Sequence, residues 1–388
     1  MKNFNFHQTT EILFGCGRIS ELPEKTLKYG KKVLLVTTQA VVPALKEQYD
    51  KVKNLLENAG VKVAHYGGVI PNPTVQSITD GAKMAKKFGA EVIIGLGGGS
   101  SMDSAKAISV EATHEGNCWD YLFYKTPQPD PEKLLPVIAV STTSGTGSQV
   151  TQVAVITNPH TRDKSALYNN ILYPQVCIID PELMLTVPKF VTATTGFDVF
   201  CHAFESILNP GSGAYVDLLA WEALRIVIEN LPVLLEDLGN IKARENMAWA
   251  DTLAGLCIAN AGVTLPHGIG MAIGGMYPHV AHGEALAIVY PTFTDFTWES
   301  AIENFSRLAK SFNKELKSLA GKEAASACPD EITKFLKKIE LSKKLRDVNM
   351  PKEEIEALAD QSMVLPDYKA NPRVATRNEM IEIITSCY

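Results

Sequence analysis

The chain has 388 residues, of which 46% are hydrophobic, and a formal net charge of -6 at pH 7. That length exceeds the usual reach of one hydrophobic core and predicts two domains. The negative balance, with no Lys/Arg-dense tract, argues against nucleic acid or an anionic membrane as partners.

The N-terminal stretch "MKNFNFHQTTEILFG" has no apolar run of signal-peptide length, and no later segment keeps about 18 uninterrupted apolar residues. A cytoplasmic protein is expected. The seven cysteines are scattered and form no Cys-x-x-Cys pair, which fits reduced thiols in packing roles.

From about residue 31 to 180, β-rich runs alternate with helical patterns. The runs are "KKVLLVTT" (31–38), "VKVAHYG" (61–67), "AEVIIGLG" (90–97), "LLPVIAVS" (134–141) and "PQVCIID" (174–180). Their near-continuous Val/Ile/Leu content suits strands covered on both faces. Helical spacing in 75–89 and 101–116 separates them, so an α/β domain with a parallel sheet is expected.

The first run ends in Thr37, Thr38 and Gln39, none of them acidic. An acidic side chain at such a strand end accepts the ribose hydroxyls of NAD and repels an added 2′-phosphate. Its lack at Thr38 favours NADP(H) over NAD(H). The run at 90–97 passes through Gly95, Gly97, Gly98 and Gly99 into a helix opened by Ser100 and Ser101. Such a turn lets backbone approach a phosphate and aims helix N–H groups at it, although the spacing departs from G-x-G-x-x-G. A second turn, "STTSGTGSQ" (141–149), is rich in hydroxyl donors and free of charge. Two such turns after neighbouring strands reinforce each other, since open α/β sheets bind ligands there.

After about Pro188 the strand signal disappears, and long 3.6-period segments such as 214–238 and 243–262 predict an all-α second domain. The expected boundaries are 1–185 for a dinucleotide-binding α/β domain and 186–388 for a helical, metal-binding one. In "ATTGFDVFCHAFESIL", Asp198 and His202 stand four apart among apolar residues, so they share one face of a helix. The stretch "LPHGIGMAIGGMYPHVAHGEA" (265–285) adds His267, His279 and His282. In one unbroken helix His267 and His282 would lie about 22 Å apart. Gly268, Gly270, Gly274, Gly275 and Pro278 predict instead a break near Gly274 to Pro278 that turns the chain back. One carboxylate and imidazoles suit Fe(II), Zn, Mn, Co or Ni, with positions open for a substrate.

Taken together and in order, "ILFGCGRISEL", "PNPT", "GGGSSMDSAKAI", "STTSGTGSQVT", "TGFDVFCHAFES", "PHG" and "NPR" resemble the iron-containing, or group III, alcohol dehydrogenases, over essentially the whole chain. Their fold is shared with glycerol dehydrogenase and dehydroquinate synthase. The resemblance implies an Fe(II)-dependent oxidoreductase moving hydride between a nicotinamide cofactor and a small alcohol or aldehyde, as a homodimer or larger homo-oligomer. It implies Asp198, His202, His267 and His282 as metal ligands, with His282 chosen over His279 because "HGEALAIVYP" matches the family's ligand histidine, glycine and apolar helix. It implies cofactor contacts from Thr38, Asn72, Gly98, Gly99, Ser100, Asp103, Thr142, Thr143, Thr146 and Lys164. Many members carry a further histidine where Met271 stands here, which makes His279 a candidate proton relay. A metal-dependent lyase of the dehydroquinate synthase type, using NAD transiently, is the alternative, and it would need a basic pocket for an acidic substrate.

Overall fold

The computed structural model describes residues 2–388. A six-stranded parallel sheet carries the first half, in the spatial order β1 (Glu11–Phe14), β8 (Val176–Ile179), β5 (Val137–Ser141), β4 (Val92–Gly97), β2 (Lys32–Thr38), β3 (Lys62–Val69). A separate antiparallel hairpin, β6 (Val153–Asn158) and β7 (Asp163–Tyr168), stands beside it in the chain order. The helices between strands are α1 (Leu22–Leu27), α2 (Pro43–Asn58), α3 (Val75–Phe88) and α4 (Gly99–Thr113). Five of the strands are those that the apolar runs predict. The hairpin and the short edge strand β1 are additions.

Strand β2 explains why the apolar runs are unbroken. Val33 and Leu35 join one core with Tyr49, Val52 and Leu56 of α2, while Leu34 and Val36 join another with Ile78 and Ala82 of α3 and Ala105 and Ile108 of α4. Alternate residues face opposite sides, and helices bury both sides. Because α2 covers one face and α4 the other, the connections leaving β2 and β4 diverge. The carboxyl ends of these two strands therefore flank a topological switch point, where open α/β sheets bind ligands.

From Lys189 onward the chain is helical: α5 (Lys189–Leu208), α6 (Ala214–Glu236), α7 (Ile241–Ala261), α8 (Leu265–Met276), α9 (His282–Thr297), α10 (Ile302–Phe312), α11 (Gly321–Ser326), α12 (Cys328–Lys338), α13 (Ile355–Ser362) and α14 (Arg377–Cys387). Two compact units result, residues 7–188 with 239–248, and residues 1–6 with 189–238 and 249–388. No single helix among the described residues is long and apolar enough to cross a membrane.

Helix α5 is the core of the helical unit. Nearly every side chain from Thr192 to Leu208 is buried, and Phe197, Phe200 and Phe204 stack along it with Tyr290 of α9 edge-on to the first two. A helix without a solvent face must find partners for each polar group it carries. The expected break falls between Met276 and His282, at a turn holding Pro278 in which the Val280 N–H donates to the Tyr277 carbonyl at 3.0 Å. Gly268, Gly270, Gly274 and Gly275 do not cause it, since all four lie inside α8. A glycine costs a helix interior only about 1 kcal/mol, which burial of α8 offsets.

Candidate functional site

One turn of α5 separates Asp198 from His202, so both project from the same face. His267 enters from the first turn of α8, after the N-cap Thr264 and Pro266, and His282 opens α9. The Nε2 atoms of His202, His267 and His282 lie 3.5, 3.5 and 3.9 Å from the same atom, Asp198 Oδ1. The His202 and His267 rings stack at 4.7 Å, and His282 meets His267 at 5.2 Å. Ligating atoms of Asp198, His267 and His282 all fall within 4.8 Å of one another. The structure thus brings together the four residues named from the sequence.

Glycine makes this convergence possible at one place above all. A Cβ on Gly283 would sit 1.9 Å from the Thr194 carbonyl oxygen, so the first turn of α9 rests directly on the backbone of α5, one turn before Asp198. Gly270 plays a milder part, since a Cβ there would press Leu286 at 3.0 Å and His282 at 3.4 Å.

The electrostatics favour a cation. Burial alone would raise the Asp198 carboxyl, but the three imidazoles, His202 foremost, hold it well below the usual carboxylate range. Burial opposes charge on the His267 ring, yet the Glu205 and Asp198 carboxylates outweigh it and push the ring up to about 10. Among the described residues, Asp198 Oδ1 and His267 Nε2 are buried without a hydrogen-bond partner. Leaving such an atom unsatisfied costs about 1–3 kcal/mol, more when it is charged. A carboxylate oxygen and imidazole nitrogens that converge on one point in a buried setting fit a divalent metal, and the absence of thiolate from the set points away from a closed structural zinc site.

His279 stands apart from these four. It lies on the exposed turn between α8 and α9, where its Nε2 meets the Val348 carbonyl at 3.0 Å. Met271 is buried in α8.

In the α/β unit, the turn after β4 and the turn after β5 press together. The Thr142 N–H donates to the Gly97 carbonyl at 3.0 Å, and a Cβ on Gly98 or Gly99 would meet Thr143 at 2.9 Å or Thr146 at 2.5 Å. Gly97 has φ +148°, a conformation that L side chains rarely adopt, as the chain passes into α4 with Gly98 as N-cap. The helix start presents its first-turn amides beside Ser100 and the threonine hydroxyls, an arrangement suited to a pyrophosphate. Thr38 ends β2 with its hydroxyl 2.8 Å from Tyr49 Oη of α2, while Thr37 bonds His65 Nε2 at 2.8 Å. Asn72, at φ 53°, accepts from Lys164 Nζ at 2.9 Å, which unites two residues 92 apart.

Asp103, expected to contact the cofactor, is engaged by donors of the chain itself. It is buried in α4, and its two carboxylate oxygens accept from Ser148 Oγ at 2.6 Å and from the Val155 N–H at 3.0 Å. Beside it the fully buried Lys106, which the sequence reading passed over, donates to the Ser148, Thr151 and Val153 carbonyls at 2.7–2.9 Å. Asp103 and Lys106 therefore tie α4 to the segment after the hydroxyl-rich turn. Glu205 was also missed. It accepts from His267 Nδ1 at 2.8 Å, and its place seven residues after Asp198 and three after His202, on the same helical face, is the signal that could have found it.

Comparison with known proteins agrees with this geometry. Residues 9–181 match the family of iron-containing alcohol dehydrogenases, and residues 192–388 match its C-terminal domain. The chain is 32% identical to 1,3-propanediol dehydrogenase of Klebsiella pneumoniae, covering 97% of this chain and 96% of the relative. It is 30% identical to NAD-dependent methanol dehydrogenase of Bacillus methanolicus, covering 98% of each. The crystal structure of an archaeal halo-thermophilic alcohol dehydrogenase from a Red Sea brine pool superposes with a TM-score of 0.94 at 34% identity, covering 100% of both chains. With both halves matched and the fold shared from end to end, the chain belongs to the iron-containing alcohol dehydrogenase family and is an oxidoreductase.

Proposed function

We propose that this protein is a metal-dependent alcohol dehydrogenase, working also as an aldehyde reductase, on small alcohols and aldehydes with NADP(H) preferred to NAD(H). The convergence of Asp198, His202, His267 and His282 on one point, with Asp198 Oδ1 and His267 Nε2 left unsatisfied, carries the reading. These four side chains would hold the ion, Fe(II) by family habit, although the same donors accept Zn, Mn, Co or Ni. When bound, the ion supplies Lewis acidity toward the substrate oxygen, and the nicotinamide supplies or accepts the hydride.

The chain's own residues have distinct tasks in this reading. Asp198 contributes the negative charge that makes the site hold a divalent cation, and the imidazoles complete the set. Gly98, Gly99 and Ser100 at the start of α4, with Thr142, Thr143 and Thr146, bind the cofactor's pyrophosphate and neighbouring groups. Asn72 and Lys164 act as a pair, and Asp103 supports the turns from behind. Met271 is apolar and offers no proton at the site, while His279 bonds the Val348 carbonyl.

Support for NADP(H) lies in Thr38, whose hydroxyl stands at the end of β2 where a carboxylate would repel a 2′-phosphate. The deciding experiment is metal analysis of protein purified without air, followed by an aldehyde panel with NADPH and NADH read at 340 nm. Net oxidation of cofactor is expected, faster with NADPH, and Thr38→Asp should reverse the preference. A substrate turned over without net cofactor oxidation would favour a lyase instead, and faster NADH oxidation by the unaltered protein would refute the Thr38 argument.

A further inference from the structure

We propose that Glu205 is a positioning residue for the metal centre, holding the His267 ring in the one tautomer and orientation in which Nε2 faces Asp198 and can bind an ion. The proposal rests on the reading of Asp198, His202, His267 and His282 as metal ligands.

Glu205 is fully buried, in a segment where an unpaired carboxylate would be costly. Among the described residues no lysine or arginine pairs with it. Oε1 accepts from His267 Nδ1 at 2.8 Å, and Oε2 accepts from the Thr264 N–H at 2.9 Å and from Thr264 Oγ1 at 3.4 Å. Thr264 is the N-cap of α8, so one carboxylate holds both the start of that helix and the histidine in its first turn. The two grips fix where the ring begins and which way it points.

An ionised carboxylate can only accept, so the hydrogen on the His267 ring must sit on Nδ1. In the neutral, metal-binding form of the ring, Nε2, on the opposite edge, then carries the lone pair, and it is the atom found buried and unpartnered 3.5 Å from Asp198 Oδ1. A partner of this kind orients a ligating histidine and raises its basicity, and its loss typically weakens metal binding about 10- to 100-fold. Glutamine cannot replace it. Both the ring N–H and the Thr264 N–H need an acceptor, whereas an amide offers one acceptor and one donor. A purely structural cap on α8 makes a different prediction, in which Glu205 variants lose stability but bind metal as the unaltered chain does.

The test uses the full-length chain stripped of metal and titrated with Co²⁺, reading the dissociation constant and the visible d–d spectrum. Glu205→Gln should bind Co²⁺ about 10- to 100-fold more weakly, with a changed spectrum, while its metal-free far-UV circular dichroism matches the unaltered chain. Unchanged affinity and spectrum would overturn the proposal. So would a metal-free Glu205→Gln that fails to fold, because the carboxylate would then serve the fold rather than the ring. His267→Ala is the control that separates this proposal from its foundation. If His267→Ala binds Co²⁺ as tightly as the unaltered chain, the metal-centre reading itself fails, whatever Glu205→Gln does.

Discussion

In the helical unit, a carboxylate and three imidazoles aim their polar atoms at a common point and leave two of them without a partner. In the α/β unit the turns after β4 and β5 present glycine, serine and threonine, while the charged pair Asp103 and Lys106 is turned inward onto the backbone. The difference follows the charge of the expected ligand. A cation is bound by converging lone pairs. A phosphate is bound by N–H groups and hydroxyls whose placement matters more than net charge. Charge in the α/β unit is therefore spent on holding the turns still.

Breaking the convergence should have the largest effect. His267→Ala removes a proposed ligand from a site asked to supply several kcal/mol of transition-state stabilisation, so kcat/KM should fall by about 10³-fold or more. Steady-state kinetics with far-UV circular dichroism on the same sample checks this, and retained turnover would contradict the assignment. On the other side of the comparison, Lys106→Met removes the buried donor of the Ser148, Thr151 and Val153 carbonyls and the cation near Asp103, and should lower unfolding free energy by about 3–5 kcal/mol in urea titrations. A loss below about 1 kcal/mol would show that the pair does not lock α4 to the following segment.

Metal itself sharpens the contrast. Adding a divalent ion to metal-free protein at about 100 times its dissociation constant should stabilise the chain by about 2.7 kcal/mol. Hydrogen exchange should place that gain in α5, α8 and α9, and a gain centred on α4 would break the division of labour proposed for the two units. Gly283→Ala strikes the contact that brings α9 onto α5. Its methyl must push α9 off the Thr194 carbonyl, costing about 1–3 kcal/mol in thermal unfolding and weakening metal binding as His282 moves.

Legibility in the sequence followed local physics. Strands β2, β4, β5 and β8 announce themselves because both faces are buried, which forces unbroken apolar runs in "KVLLVTT" and "VCII" alike. Strand β1 has only four residues, and the β6–β7 hairpin mixes polar with apolar positions, so neither rises above its surroundings. Asp198 and His202 were legible because four residues is one helical turn. Glu205 lies on the same face but shows its meaning only when Thr264 and His267 arrive opposite it.

By itself the sequence determined the alternation of strand and helix, the glycine turn, and the presence of a carboxylate and histidines in an apolar setting. Only the tertiary structure shows which of His279 and His282 stands beside Asp198. The choice depends on how closely α9 can approach α5, and Gly283 against Thr194 sets that distance across 89 residues of chain. It also decided the direction of Asp103, since whether a carboxylate faces a ligand or its own backbone depends on donors from distant segments, here Ser148 and Val155.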